Sequence, residues 1–269
     1  MKRLLVAIDG SPASRRAVQI AAQIALAERA SVYLVHVPRT GELRAAEGCE
    51  QGALRDLTQA GVDAHLEIRG GDAADEIVAA AHSTRAGLLV MGSRGRSAVG
   101  GLLLGSVSQD VAARASCPVL LVRADADVAA PIHKILLAVE GIAGSDSLLA
   151  ITTDLAKSLK AMVVAVHASY PRGEDLERSL YHARRTHGEQ AVAAAVAKLR
   201  HSGIDAGEMK LTTRSGISRA LAACADSIGA GLIVIGAHNS NRAGEGAGTD
   251  LSMAVLRRTR RPVLVTRER

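Results

Sequence analysis

Gly87-Leu88-Leu89-Val90-Met91-Gly92-Ser93-Arg94-Gly95, followed after nine intervening residues by Gly105-Ser106-Val107, is the stretch from which the fold of this chain can be read. The run up to Met91 is short, apolar and uncharged, the pattern of a strand buried on both faces of a parallel sheet. Val107 to Ala115 reads as a helix opened by a Gly-Ser pair. Glycines let a backbone turn its N–H groups inward, and a helix N-terminus adds free donors and the positive end of a dipole. The Ser106 hydroxyl can donate to the same anion, and Arg94 and Arg96 stand close by in sequence. The layout predicts a phosphate cradle, and with it a nucleotide site.

Outward from this stretch, short β-branched runs alternate with helical ones. Strands are expected at Arg3–Ile8, Ser31–Val37, Asp63–Ile68, Leu88–Met91 and Val119–Val122, with helices starting near Ser11, Gly41, Asp72 and Ser106. Ser11-Pro12 is a well-formed start, serine as N-cap and proline at the first helical position. Such alternation implies a parallel sheet with right-handed crossovers and helices on both faces, where ligands sit beyond the carboxyl ends of the strands. Asp9, His36-Val37 and the Met91–Ser106 loop should therefore converge. Asp9 is suited either to accept from ribose hydroxyls or an adenine amino group, or to cap the turn into the Ser11 helix. His36 reads as a satisfied strand-end histidine, with no serine, cysteine or carboxylate placed by sequence to work with it.

The second half of the chain repeats the first. Asp9-Gly10 returns as Glu140-Gly141 and His36-Val37 as His167-Ala168, at an offset of 131; Met91-Gly92 returns as Ile235-Gly236 and Cys117-Pro118 as Arg261-Pro262, at an offset of 144. The 13 additional residues are assigned to a long amphipathic helix over Gly173 to Ser202. Two copies of one domain, 1–127 and 128–269, joined around Ala124 to Pro131, is the economical reading.

Composition agrees with a compact α/β chain. Of 269 residues 48% are hydrophobic, yet the aromatics are three tyrosines with no Phe or Trp, so the core must be built from Ala, Val, Leu and Ile. Cys49, Cys117 and Cys224 are widely spaced, which suits small buried hydrophobes in a reducing, cytoplasmic compartment better than a disulfide or zinc framework. No apolar run approaches membrane-spanning length. Residues 1–127 hold 14 Lys/Arg and 14 Asp/Glu, so the formal +6 resides entirely in 128–269. Its densest cluster, Arg257-Arg258-Thr259-Arg260-Arg261, suits the end of a helix better than a nucleic-acid patch, because no aromatic stacking platform accompanies it. No Gly-Lys-Ser/Thr, no GxGxxG after the first strand and no SGGxDS-type loop occurs, which disfavours P-loop, Rossmann and ATP-pyrophosphatase sites.

These motifs resemble the universal stress protein family (UspA-like), in tandem. Its ATP-binding members carry G-x2-G-x9-G-[S/T], matched by Gly92, Gly95, Gly105 and Ser106. Asp9 in Val6-Ala7-Ile8-Asp9-Gly10-Ser11 matches the family aspartate that contacts the nucleoside, Val37 the position lining the adenine, and Val107 the residue after the Ser/Thr. The resemblance implies a doubly wound five-stranded parallel sheet in each domain, ordered 3-2-1-4-5. It also implies ATP binding, with Mg²⁺ as a candidate companion, through Asp9, Val37, Met91, Gly92, Gly95, Arg96, Gly105, Ser106 and Val107. Family members pair their last strands across a dimer; here Val119–Val122 and Val263–Val265 could pair within one molecule as a pseudo-dimer, or a homodimer could form.

The second copy departs from the motif. Gly95 becomes Asn239, Gly105 becomes Thr249, Ser106 becomes Asp250 and Asp9 becomes Glu140. Asp250 would set a carboxylate against a phosphate, so the second domain is not expected to hold ATP in the family's manner. The expected function is an ATP-binding stress or signalling regulator that works with a protein partner and does not bind nucleic acid or insert in a membrane. The alternative is a nucleotide-independent interaction or small-ligand module. A true ATPase is the weakest reading, since no base and metal-ligand set is apparent.

Overall fold

A computed structural model describes residues 1–38, 43–94, 105–139, 145–170, 178–237 and 251–267. The chain divides into two units, Met1–Pro131 with Arg260–Val265, and Ile132–Thr259 with Thr266–Arg269. In the first unit β1 (Arg3–Ile8), α1 (Pro12–Glu28), β2 (Ser31–His36), α2 (Leu43–Gln59), β3 (Ala64–Ile68), α3 (Ala73–Ser83), β4 (Leu88–Gly92), α4 (Ser106–Arg114) and β5 (Val119–Val122) alternate as the sequence predicts. The five strands are parallel in the order β3-β2-β1-β4-β5.

The core follows from the apolar runs. Leu4, Val6, Leu34, Leu88, Leu89 and Val90 are fully buried, as central parallel strands covered on both faces require. α1 starts where Ser11 caps it: its Oγ accepts the Ser14 N–H at 3.1 Å, and Pro12 occupies the first turn. The buried side of α1 is largely alanine (Ala13, Ala17, Ala21, Ala25), so the helix lies close on the sheet. At Gly92 the approach is tightest: a Cβ there would stand 2.9 Å from Ala13 Cβ and 3.0 Å from the Ser14 nitrogen.

The pairing of last strands within one molecule that the sequence allowed is present. β10 (Val263–Arg267) pairs antiparallel with β5, Val263 opposite Leu121 and Val265 opposite Val119, and its residues through Val265 group with the first unit. The reason lies in β5, whose four residues are all buried and apolar; left open, that edge would present unpaired backbone beside an apolar surface. Arg261 Nη1 adds a 3.3 Å bond to Asp127, and the Asp127 N–H donates to the Arg260 carbonyl at 3.1 Å.

The second unit contains β6 (Lys134–Ala138), α5 (Ser145–Leu159), β7 (Met162–Ser169), α6 (Arg178–His201), β8 (Ala206–Thr212), α7 (Ile217–Ser227), β9 (Leu232–Ala237) and α8 (Leu251–Leu256). Its strands run parallel in the order β8-β7-β6-β9, which repeats β3-β2-β1-β4. The long helix expected over Gly173 to Ser202 is α6, at 24 residues the longest described. Cys224 is buried in α7, where desolvation pushes its thiol up from the ordinary range, while Cys49 and Cys117 are half-buried. Among the described residues no helix is long and apolar enough to cross a membrane, and no cluster of His, Cys, Asp and Glu could hold a metal ion.

Candidate ligand-binding site

The candidate site lies at the carboxyl ends of β1, β2 and β4, where the sheet order reverses beside β1. Ile8 pairs with His36 and Ala7 with Met91, so the residues that follow, Asp9, Val37 and Gly92, leave the sheet from adjacent strands. Asp9 Oδ1 accepts the Ser11 N–H at 3.0 Å, and the Asp9 N–H donates to Ser14 Oγ at 3.2 Å. The aspartate thus performs the turn-capping role open to it, and its Oδ2 has no hydrogen-bond partner among the described residues. Gly10 turns the chain at φ +76°, a conformation that favours glycine, and a Cβ there would press on Cys49 Sγ at 3.2 Å.

The glycine loop is held at both ends. Beyond β4 the buried Ser93 donates its N–H to the Val122 carbonyl at 2.8 Å, and its own carbonyl accepts the Gly105 N–H at 3.0 Å. Gly105 is the N-cap of α4, with extended backbone (φ −69°, ψ 141°) and no side-chain cap. Ser106 is exposed on the first turn, Val107 is half-buried, and Ser108 is buried. Ser11 Oγ reaches across from α1 to the Arg94 carbonyl at 3.3 Å, joining the Asp9 turn to the loop. Met91 is buried, and Gly92, Val37 and Asp9 are half-buried. Two predicted contacts, Gly95 and Arg96, lie outside the described residues.

The donor set fits an anion. With Gly105 as N-cap, α4 begins without a side-chain cap, the kind of helix N-terminus that favours an anion. A Cβ on Gly105 would meet nothing closer than 3.5 Å, so the packing around it does not demand glycine.

The carboxylate that sequence reasoning did not find beside His36 is Glu50, from α2. Its Oε1 bonds His36 Nδ1, and the two side chains are each 3% exposed. The available signal was helical: Glu50 lies two turns before the fully buried Leu57, on the face of α2 that meets the sheet. In the second unit the equivalent His167 turns instead to a backbone partner. Its Nδ1 stands 2.9 Å from the Val139 carbonyl, which can only accept, so Nδ1 carries the proton. The α6 backbone crosses the ring at Gly188, where any Cβ would lie 2.3 Å from Cδ2 and Nε2. Both histidines are satisfied, by different chemistry. Asn239, Thr249, Asp250 and Glu140 lie outside the described residues.

Comparison with known proteins agrees with this architecture. The universal stress protein family model matches residues 1–123 and again 131–267. A universal stress protein of Thermus aquaticus is 42% identical over 135 residues, covering 45% of this chain and 98% of its own length. One from Mycobacterium tuberculosis is 31% identical over 194 residues, 69% of this chain and 63% of that one. Among solved structures, a universal stress protein from Archaeoglobus fulgidus superposes with a TM-score of 0.72 over 98% of both chains at 18% identity, a likeness of fold. With the family pattern met twice along one sequence, the chain belongs to the universal stress protein family and carries two of its domains.

Proposed function

We propose that the first domain is a nucleotide sensor that holds ATP and, through it, regulates a protein partner in a stress or signalling response. The single observation that carries this reading is the tie between the two ends of the glycine motif: Ser93 and Gly105 bond at 3.0 Å, which sets the start of α4 at the end of β4, the neighbour of β1. In this reading the start of α4 supplies the phosphate donors, and Asp9 and Val37, which follow the neighbouring strands, flank the nucleoside. No residue is assigned a catalytic role. The second domain, with Asp250 at the position of Ser106, is structural or regulatory in this reading. We take the domain boundary at residues 127–128; the interval left between the two family matches, 124–130, supports it.

Calorimetric titration of the intact chain with ATP, beside Ser106→Asp and Asp250→Ser, tests the assignment. One site per chain, lost in Ser106→Asp, is the expected result. Two sites in the unaltered chain would overturn the reading of the second domain. No binding at all would leave a nucleotide-independent interaction module.

A further inference from the structure

Ser108 is 2% exposed and makes no use of the solvent its helical position would offer. Its Oγ lies 2.9 Å from the Ser93 carbonyl and 2.9 Å from the Gly105 carbonyl. A serine in the first turns of a helix commonly bonds back to its own helix, and the Gly105 contact is of that kind. The Ser93 contact is different, because it leaves the helix and reaches the end of β4. The Ser93 carbonyl is therefore approached by two donors, the Gly105 N–H and the Ser108 hydroxyl, whose single proton is shared between the Ser93 and Gly105 carbonyls, while the Ser93 N–H is fixed to Val122 in the sheet.

We propose that Ser108 is a positioning residue for the nucleotide loop: its hydroxyl ties the residue that opens the loop to the residue that closes it, and so sets the first turn of α4 against the sheet end. The inference rests on the nucleotide reading of the first domain. Two further facts support it. Gly105 has no side chain with which to cap α4, so the helix start is located by backbone bonds and by Ser108. Ser11 performs a parallel service, capping α1 and donating its hydroxyl to the Arg94 carbonyl. The Ser93 and Arg94 carbonyls, the negative ends of successive peptides, are thus both engaged by hydroxyl donors. A carbonyl left unengaged there would be available to repel a phosphate.

The second repeat supplies a matched control. Ser252, at the offset of 144, holds the same place near the start of α8 and is fully buried. ATP affinity is measured by calorimetry on the full chain for the unaltered protein, Ser108→Ala, Ser108→Thr and Ser252→Ala, with thermal unfolding of each. Ser108→Ala is expected to weaken ATP binding about tenfold, the loss of one positioned hydrogen bond. Ser108→Thr, which keeps the hydroxyl, should restore affinity to within about twofold, and Ser252→Ala should match the unaltered chain equally closely. Should Ser108→Ala fail to fold, Ser108→Cys keeps the volume with a weaker donor and gives the same readout. Equal affinity in Ser108→Ala and the unaltered chain overturns the inference, as does an equal loss in Ser252→Ala, which would mark a general effect of destabilisation. An unaltered chain that binds no ATP defeats the nucleotide reading itself, an outcome plainly separate from the other two.

Discussion

Two glycines of one loop carry unlike constraints. At Gly92 an added Cβ would stand 2.9–3.1 Å from Ala13 and the Ser14 nitrogen, so α1 would have to move off the sheet. Overpacking of this kind typically costs about 1–3 kcal/mol, and Gly92→Ala is predicted to lower the denaturation midpoint accordingly. At Gly105 the backbone lies in an ordinary extended region and the nearest atoms are 3.5 Å away. Gly105→Ala is therefore predicted to change stability by no more than about 0.5 kcal/mol, the range of a substitution without a structural conflict. On the nucleotide reading proposed for the first domain it should nevertheless weaken ATP binding, because that reading brings a phosphate against the backbone where the methyl would stand. Chemical denaturation and calorimetry on the two variants give opposite patterns if this division holds. Equal losses of stability in both would refute it.

At the level of the element, α2 is fastened to the site by a buried pair of polar groups. Removing one member of such a pair strands the other, and Glu50→Ala is predicted to cost about 3 kcal/mol, read from urea denaturation. Because α2 also sets Cys49 against Gly10, the same variant should loosen the turn that carries Asp9, measurable as faster amide exchange at Ser11. How far elements could be read from sequence follows from how local their causes are. α1 was legible because Ser11-Pro12 and the alanine face act within one helix, and β4 because an unbroken apolar run suits few other structures. The loop mouth was legible in outline, since glycine spacing announces a turn before a helix. The tie from Ser108 to Ser93 was not, because one serine in a helix gives no sign of whether it faces solvent or a neighbouring strand. Glu50 is illegible for a related reason: its partner lies on another element, and α2 also holds Glu47 and Asp56, so the sequence does not single out the carboxylate that meets a histidine 14 residues earlier.

For the whole molecule, the two repeats keep one topology while diverging at the strand ends. The ring of His36 meets a carboxylate and that of His167 meets a backbone carbonyl beneath Gly188, so likeness of fold has not preserved likeness of site. The pairing of β10 with β5, by contrast, is reciprocal, and it shields the β5 edge. Truncation after Thr259 is predicted to expose the Val119–Val122 edge and to produce concentration-dependent association, detectable by light scattering; a monodisperse truncated chain would argue against that role. The same strand has a consequence for biosynthesis. β10 leaves the ribosome only after the entire second repeat has been made, on the order of ten seconds after β5 at ordinary rates of translation. Throughout that interval the nascent first unit carries a bare apolar margin, and so the repeat made before the other is the one left waiting for a strand.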